Sequence, residues 1–219
     1  VVHAIDFDSG LSTWLFCILF KKKFIFDVYD KYTDVRKFPQ KLITLIDKLE
    51  IYLINKSDLT ILADENRYGQ HGLPISNRNI IVLENVPSVS NISNIILKEI
   101  SSNINIGYFG VLEANNRGLE DLALTIQKHP NIFLHVVGYG PLSDFMNKIS
   151  KNHENIIFYG SKTAEDGLNN MKEMDILVGM YYKTEKNHLF AAPNKYYEHL
   201  MLARPLLTTI DTPPGKKVL

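Results

Sequence analysis

Short β-branched or aromatic runs alternate with longer amphipathic stretches along the whole 219-residue chain, and that alternation leaves few folds open. Strand-like runs fall at 1–5, 23–30, 58–62, 79–84, 104–109, 131–137, 155–159 and 175–178, with a last short one beginning at Leu206. Between them, helical spacing recurs. Leu42, Leu45, Ile46, Leu49 and Leu53 mark a helix over 39–55, and further helices are expected at 11–22, 119–128 and 142–152. Strands separated by helices pair in parallel and are covered on both faces. The loops at the carboxyl ends of such strands line the ligand crevice. The fold class is therefore α/β, with two Rossmann-like layers. One occupies 1–87 and the other 104–219. The Ser-, Asn- and Ile-rich stretch 88–103 has no period and serves as the connector.

Composition narrows the function. Twenty-four basic residues balance 24 acidic ones, which argues against a nucleic-acid partner. The single cysteine, Cys17, excludes an internal disulfide and a multi-cysteine metal site, and its apolar helical setting suits a buried, inert thiol. No His/Asp grouping has the spacing of a metal site. No signal-peptide pattern is visible, and the apolar run 11–20 is too short to span a bilayer. The chain starts without methionine and stops at 215–219 without a terminal packing element, so further structure is expected at both ends.

Several residues bear on chemistry. In the segment FAAPNKYYEHLMLARPLLTT (190–209), Pro193 suits a first helical turn and Pro205 ends the helix. Lys195 then lies where the helix dipole disfavours a cation, which a bound phosphate at the helix start would explain. Asn194 and Glu198 share one helix face. An ordinary helix with a solvated Lys/Glu pair fits this segment equally well. Gly110 follows a strand and Arg117 opens a helix, as a phosphate site requires, although a surface arginine reads the same. Gly138-Tyr139-Gly140-Pro141 makes a tight turn but lacks the third glycine of a dinucleotide fingerprint. Gly160 closes another strand. Ser9 and Thr163 suit helix N-caps, Thr163 with Asp166 three residues on. His3 lies inside a strand, where a core role competes with a functional one. Asp6 and Asp8 lie in the turn that follows.

These stretches, taken with "HAIDFDSGLSTW", "INIGYFGVLEANNRGLEDL" and the Gly-x-Gly-Pro turn, resemble the GT-B glycosyltransferases of the family-4 type. The resemblance implies two Rossmann-like domains, both incomplete here, with a cleft between them. It implies transfer of a sugar from a nucleoside-diphosphate sugar to a saccharide or lipid-linked acceptor, with retention and without a cofactor. A cytoplasmic setting follows, at the inner membrane face if the N-terminal or a missing part makes peripheral membrane contact.

Carried over residue by residue, Arg117 and Lys195 stabilise the departing diphosphate and are the expected catalytic pair. Gly110, Gly138, Gly140, Asn194 and backbone groups of Tyr159, Gly160 and Ser161 hold the donor. Glu198 accepts from the ribose hydroxyls, and His3, Asp6 and Asp8 mark the acceptor side. The chain departs from the pattern in three places. Ile5 replaces a second histidine, Val111 stands where the first diphosphate cation is usual, and Phe190 replaces a glutamate eight residues before Glu198. Two other readings stay open: a sugar-nucleotide epimerase of the same architecture, and a non-catalytic relative that binds nucleotide sugars.

Overall fold

The computed structural model describes residues 1–75, 79–87, 102–114 and 116–218. The chain divides into two compact units, Val1–Asn85 with Lys186–Ala192, and Val86–Glu185 with Pro193–Leu219. The return of 186–192 to the first unit is not foreshadowed in the sequence. Most of the expected connector, 88–101, lies outside the described residues.

The first unit runs β1 (Val2–Ile5), α1 (Asp6–Leu19), β2 (Phe24–Val28), α2 (Tyr32–Val35), α3 (Gln40–Lys56), β3 (Leu59–Leu62), α4 (Asn66–His71) and β4 (Ile80–Val82). The four strands are parallel in the order β1-β2-β3-β4. Alternate residues Phe24, Phe26 and Val28 of β2 are buried against Leu53 and Ile54 of α3. Burial of such side chains is worth about 1.5–3 kcal/mol each, and it is what holds helix to sheet.

The polar turn expected at 6–10 is instead the first turn of α1. Asp6 opens the helix at φ 54°, and its carboxylate accepts the Tyr29 N–H at 2.8 Å. Ser9 therefore does not cap a helix starting at residue 11. It lies one turn in, where its Oγ accepts the Ile5 N–H at 3.0 Å and donates to the Ile5 carbonyl at 2.7 Å. A hydroxyl reaching back in this way satisfies a helix-end amide as a cap would.

A knot of polar side chains is buried under α3 and α4. Glu50 and His71 have wholly buried side chains 3.4 Å apart, and Glu50 also accepts the Tyr32 N–H at 3.3 Å. Arg67, also buried, pairs with Asp30 at 2.7 Å and donates to Gln70 at 2.6 Å. Arg67 also donates to Asn187 at 3.0 Å, which ties the returning segment down.

Burial raises the Glu50 carboxyl to about 7, against a smaller opposing effect of the Tyr32 amide, and burial lowers His71 to about 4. A raised carboxyl pKa gives stability that is present below pH 4.5 and lost as pH rises through about 7. At pH 8 the ionised carboxylate costs roughly 3 kcal/mol. Glu50→Gln is therefore expected to be more stable than the parent at pH 8 and to lose that advantage by pH 4.5. Urea titrations at the two pH values check this, and an equal effect at both contradicts it.

The second unit runs β5 (Ile104–Val111), α5 (Leu119–Ile126), β6 (Ile132–Tyr139), α6 (Ser143–Asn152), β7 (Ile156–Phe158), α7 (Ala164–Lys172), β8 (Ile176–Gly179), α8 (Asn194–Met201), β9 (Leu206–Thr208) and α9 (Pro213–Lys217). Its five strands are parallel in the order β7-β6-β5-β8-β9. The core forms where Leu134, Val136 and Val178 of the strands meet Leu119, Ala123 and Met146 of the helices. Thr163 caps α7, accepting the Asp166 N–H at 3.1 Å as its sequence predicts. At the chain's end, where no packing element was expected, Thr212 caps α9 by accepting from Gly215, with Pro213 at the first position. Between β8 and α8, a 3-10 turn at Lys186–Phe190 interrupts the expected polar loop.

Candidate functional site at the switch point of the second sheet

The second sheet reverses direction of growth at β5, which has β6 on one side and β8 on the other. Ligands of open parallel sheets bind outside the carboxyl ends of the strands at such a point. Here, three adjacent strand ends carry glycine. Gly110 is in register with Gly138, and the Gly138 N–H donates to the Gly160 carbonyl at 2.9 Å. Gly110 and Gly138 have φ of 147° and 152°, a region that essentially only glycine occupies. A Cβ on Gly138 would lie 1.9 Å from the Gly110 carbonyl oxygen, and one on Gly140 would lie 2.8 Å from the Leu112 oxygen. The row is thus a bare backbone edge, made necessary by close packing.

Lys195 lies across this edge. Its stem passes Gly179 at the end of β8, where a Cβ would stand 3.1 Å from the lysine Cδ. Its Nζ passes Gly110, donates to the Phe109 carbonyl and sits 4.6 Å from the centre of the Tyr108 ring. Tyr108 is buried, and its hydroxyl donates to the Val111 carbonyl at 2.7 Å. Two strand-end glycines are therefore what lets a lysine from the first turn of α8 reach the switch point.

Arg117 belongs to the same cluster. Its guanidinium stacks 4.7 Å from the ring of buried Tyr181 and holds Glu113 through two contacts of 3.1 Å. Burial lowers the Lys195 ammonium to about 8. Glu198 and Glu113 oppose that shift, whereas the Arg117 charge adds to it. Glu198 is itself held up by burial, with Lys195 pulling it back. An anion placed between Arg117 and Lys195 would relieve both the repulsion and the cost of charging the lysine.

The expected residues fare differently. Arg117, Lys195, Glu198 and Gly110 come together, with Gly138, Gly140 and Gly160 alongside. Asn194 is exposed at the first position of α8, whose N-cap, Pro193, has no side chain able to cap it. Glu198 faces a recess shared with Lys195, Phe109, Leu177 and Leu206. That recess is about 10 Å³, room for one water and too small for a ribose, and its other walls include buried Met171 and Val178. The Tyr159 amide is engaged by the Val136 carbonyl, so this donor cannot hold a base as expected. Ser161 is exposed beyond it.

In the first unit the three acceptor-side candidates already have protein partners. His3 Nε2 lies 3.2 Å from Asp27, and the Asp6 carboxylate braces the end of β2. Asp8 accepts from the Tyr32 hydroxyl at 2.6 Å and from Arg36 at 2.7 Å. His3 is not a core residue, since its side chain is 48% exposed. Among the described residues no group of three or more His, Cys, Asp or Glu side chains could hold a metal ion, and no helix is long and apolar enough to cross a membrane.

Glu113, Tyr108 and Tyr181 went unread in the sequence. Glu113 and Arg117 are four apart, but they lie in a loop, where that spacing carries no helical meaning. Because Glu113 neutralises the arginine, Glu113→Gln is expected to tighten binding of a nucleoside diphosphate several-fold, as titration calorimetry would show. Weaker binding would mean that the glutamate positions the arginine instead.

No protein-family model and no curated protein sequence matches the chain. Solved structures do. HepE from Anabaena, in complex with UDP, superposes with a TM-score of 0.70 at 13% identity over 99% of this chain and 62% of its own. The lipopolysaccharide outer core galactosyltransferase WaaB gives 0.62 at 17% identity over 94% of this chain and 56% of its own. TarM from S. aureus, in a complex containing UDP, gives 0.57 at 16% identity over 92% and 40%. The chain spans about 60% of the length of HepE. At these identities the likeness establishes the fold: this chain has the paired Rossmann-like, GT-B architecture of glycosyltransferases.

Proposed function

We propose that the chain is part of a glycosyltransferase that moves a sugar from a nucleoside-diphosphate sugar to a hydroxyl of a saccharide or lipid-linked acceptor, with retention and without a metal or cofactor. The observation that carries this reading is the meeting of Arg117 and Lys195 beside bare glycine backbone at the switch point of the second sheet. Solved structures of the same fold that hold UDP or UDP-glucose support it. As the glycosidic bond breaks, negative charge grows on the diphosphate. The two cations and the uncapped amides at the start of α8 oppose that charge, which lowers the barrier.

The test supplies UDP-, GDP- and ADP-sugars to the full-length protein and measures nucleotide binding and release. Release that depends on an added acceptor is the expected result. Sugar interconversion without acceptor would indicate an epimerase, and binding without either reaction a non-catalytic relative. Absence of binding to every nucleotide sugar would overturn the reading.

A further inference from the structure

A second pocket in the same unit is lined by neither Arg117 nor Lys195. It has a volume of about 490 Å³ and lies where α7 leaves the sheet partly uncovered. Its lining includes Asn105, His135, Tyr159, Asp166, Asn169 and Glu173. Asn105 is the second residue of β5, whereas Gly110 is the seventh. At about 3.3 Å per residue, Asn105 lies roughly 16 Å and His135 roughly 10 Å back along their strands from the glycine row, while Tyr159 adjoins Gly160.

The hydrogen bonds of the floor set its polarity. Asn105 donates its Nδ2 to Asp175 at 3.0 Å, so its Oδ1 faces His135 Nε2 at 3.1 Å and accepts from it. His135 Nδ1 lies 2.9 Å from the Tyr159 hydroxyl, which has a lone pair to spare whichever of the two donates. The Tyr159 oxygen thereby keeps acceptor capacity toward the pocket. Its ring, stacked with His135 and 37% exposed, offers a flat apolar face. Around it stand the carboxylates of Asp166 and Glu173, which accept, and the amide of Asn169, which both donates and accepts. The Asn169 side chain makes no hydrogen bond to another described residue.

This set selects a ligand class. Two carboxylates repel phosphates and other anions. The residues do not form a metal-binding group. An organic ammonium can use the acceptors but has nothing to accept the amide N–H groups. A ligand with hydroxyls that donate, oxygens that accept and a C–H face that covers a ring uses all of them. We propose that this pocket is a saccharide-binding subsite, separate from the switch-point site and independent of nucleotide.

The experiment is saturation-transfer NMR on the full chain with maltotriose and with chitotriose, in the absence of nucleotide. Binding of at least one saccharide is expected, undisplaced by excess UDP. Asn169→Ala, at an exposed position, should weaken it at least five-fold with an unchanged melting temperature, and Glu173→Gln should weaken it as well. The proposal is overturned if neither saccharide binds, if both variants bind as the parent does, if UDP displaces the sugar, or if spermine binds here while saccharides do not. Because saccharide binding is read first without nucleotide, failure here leaves the proposed transferase reaction standing, and failure of that reaction leaves this site standing.

Discussion

Lys195→Ala is expected to lower kcat/KM for a nucleoside-diphosphate sugar roughly 100-fold, the scale of losing one preorganised charge at a site where negative charge develops. The magnitude follows from position. Lys195 alone of the two cations crosses the ends of both β5 and β8, and it lies over the Gly110 backbone. Arginine should not rescue it. A Cβ at Gly110 would already lie 2.8 Å from the Nζ, and the stem touches Gly179, so the channel admits an unbranched chain and not a planar fork.

Loss of folding is a separate question with the opposite sign. Burial lowers the lysine pKa to about 8. A base with a depressed folded pKa contributes stability that is present above its ordinary value of 10.5 and lost as pH falls through about 8. At pH 7 the charged lysine is therefore a cost, and Lys195→Met should be at least as stable as the parent while binding nucleotide poorly. A melting curve and a binding titration on the same sample separate the two effects. A large fall in stability for Lys195→Met would show that the lysine serves the fold rather than a ligand.

Gly138→Ala should be the most destabilising single methyl in the second unit. The new Cβ would lie 1.9 Å from the Gly110 carbonyl oxygen, a backbone atom that cannot move without breaking the β5–β6 ladder. The φ of 152° adds strain of its own. Together these cost roughly 3 kcal/mol or more, and a melting temperature lower by about 10 °C. Gly69→Ala in α4 is the control, because nothing lies within 4 Å of its added Cβ and alanine favours a helix interior. If the two variants melt alike, the tight crossing at the switch point is not as described.

The alternation of strand and helix made the architecture legible, because two periodicities along one chain leave a parallel sheet as the only arrangement that buries both. Thr163 and its partner Asp166 were legible for a local reason: a cap is decided within four residues. The helix start at Asp6 was not, since it depends on the Tyr29 amide, 23 residues away. Nor was the return of 186–192, held by Asn187 on Arg67. In the candidate site, Lys195 stood out as a cation at the wrong end of a helix. The pairing of Arg117 with Glu113 and its stacking on Tyr181 are products of loop conformation and long-range packing, to which no residue spacing points.

The proposed reaction requires an anion to complete the charge at Arg117 and Lys195. Titration calorimetry of UDP, GDP and ADP at pH 8, in buffers of different ionisation heat, measures this directly. At that pH the lysine is near half-protonated. At least one nucleotide should bind with net uptake of protons, and the uptake should vanish in Lys195→Met along with most of the affinity. Binding that is equally tight in the variant and takes up no protons would contradict the account.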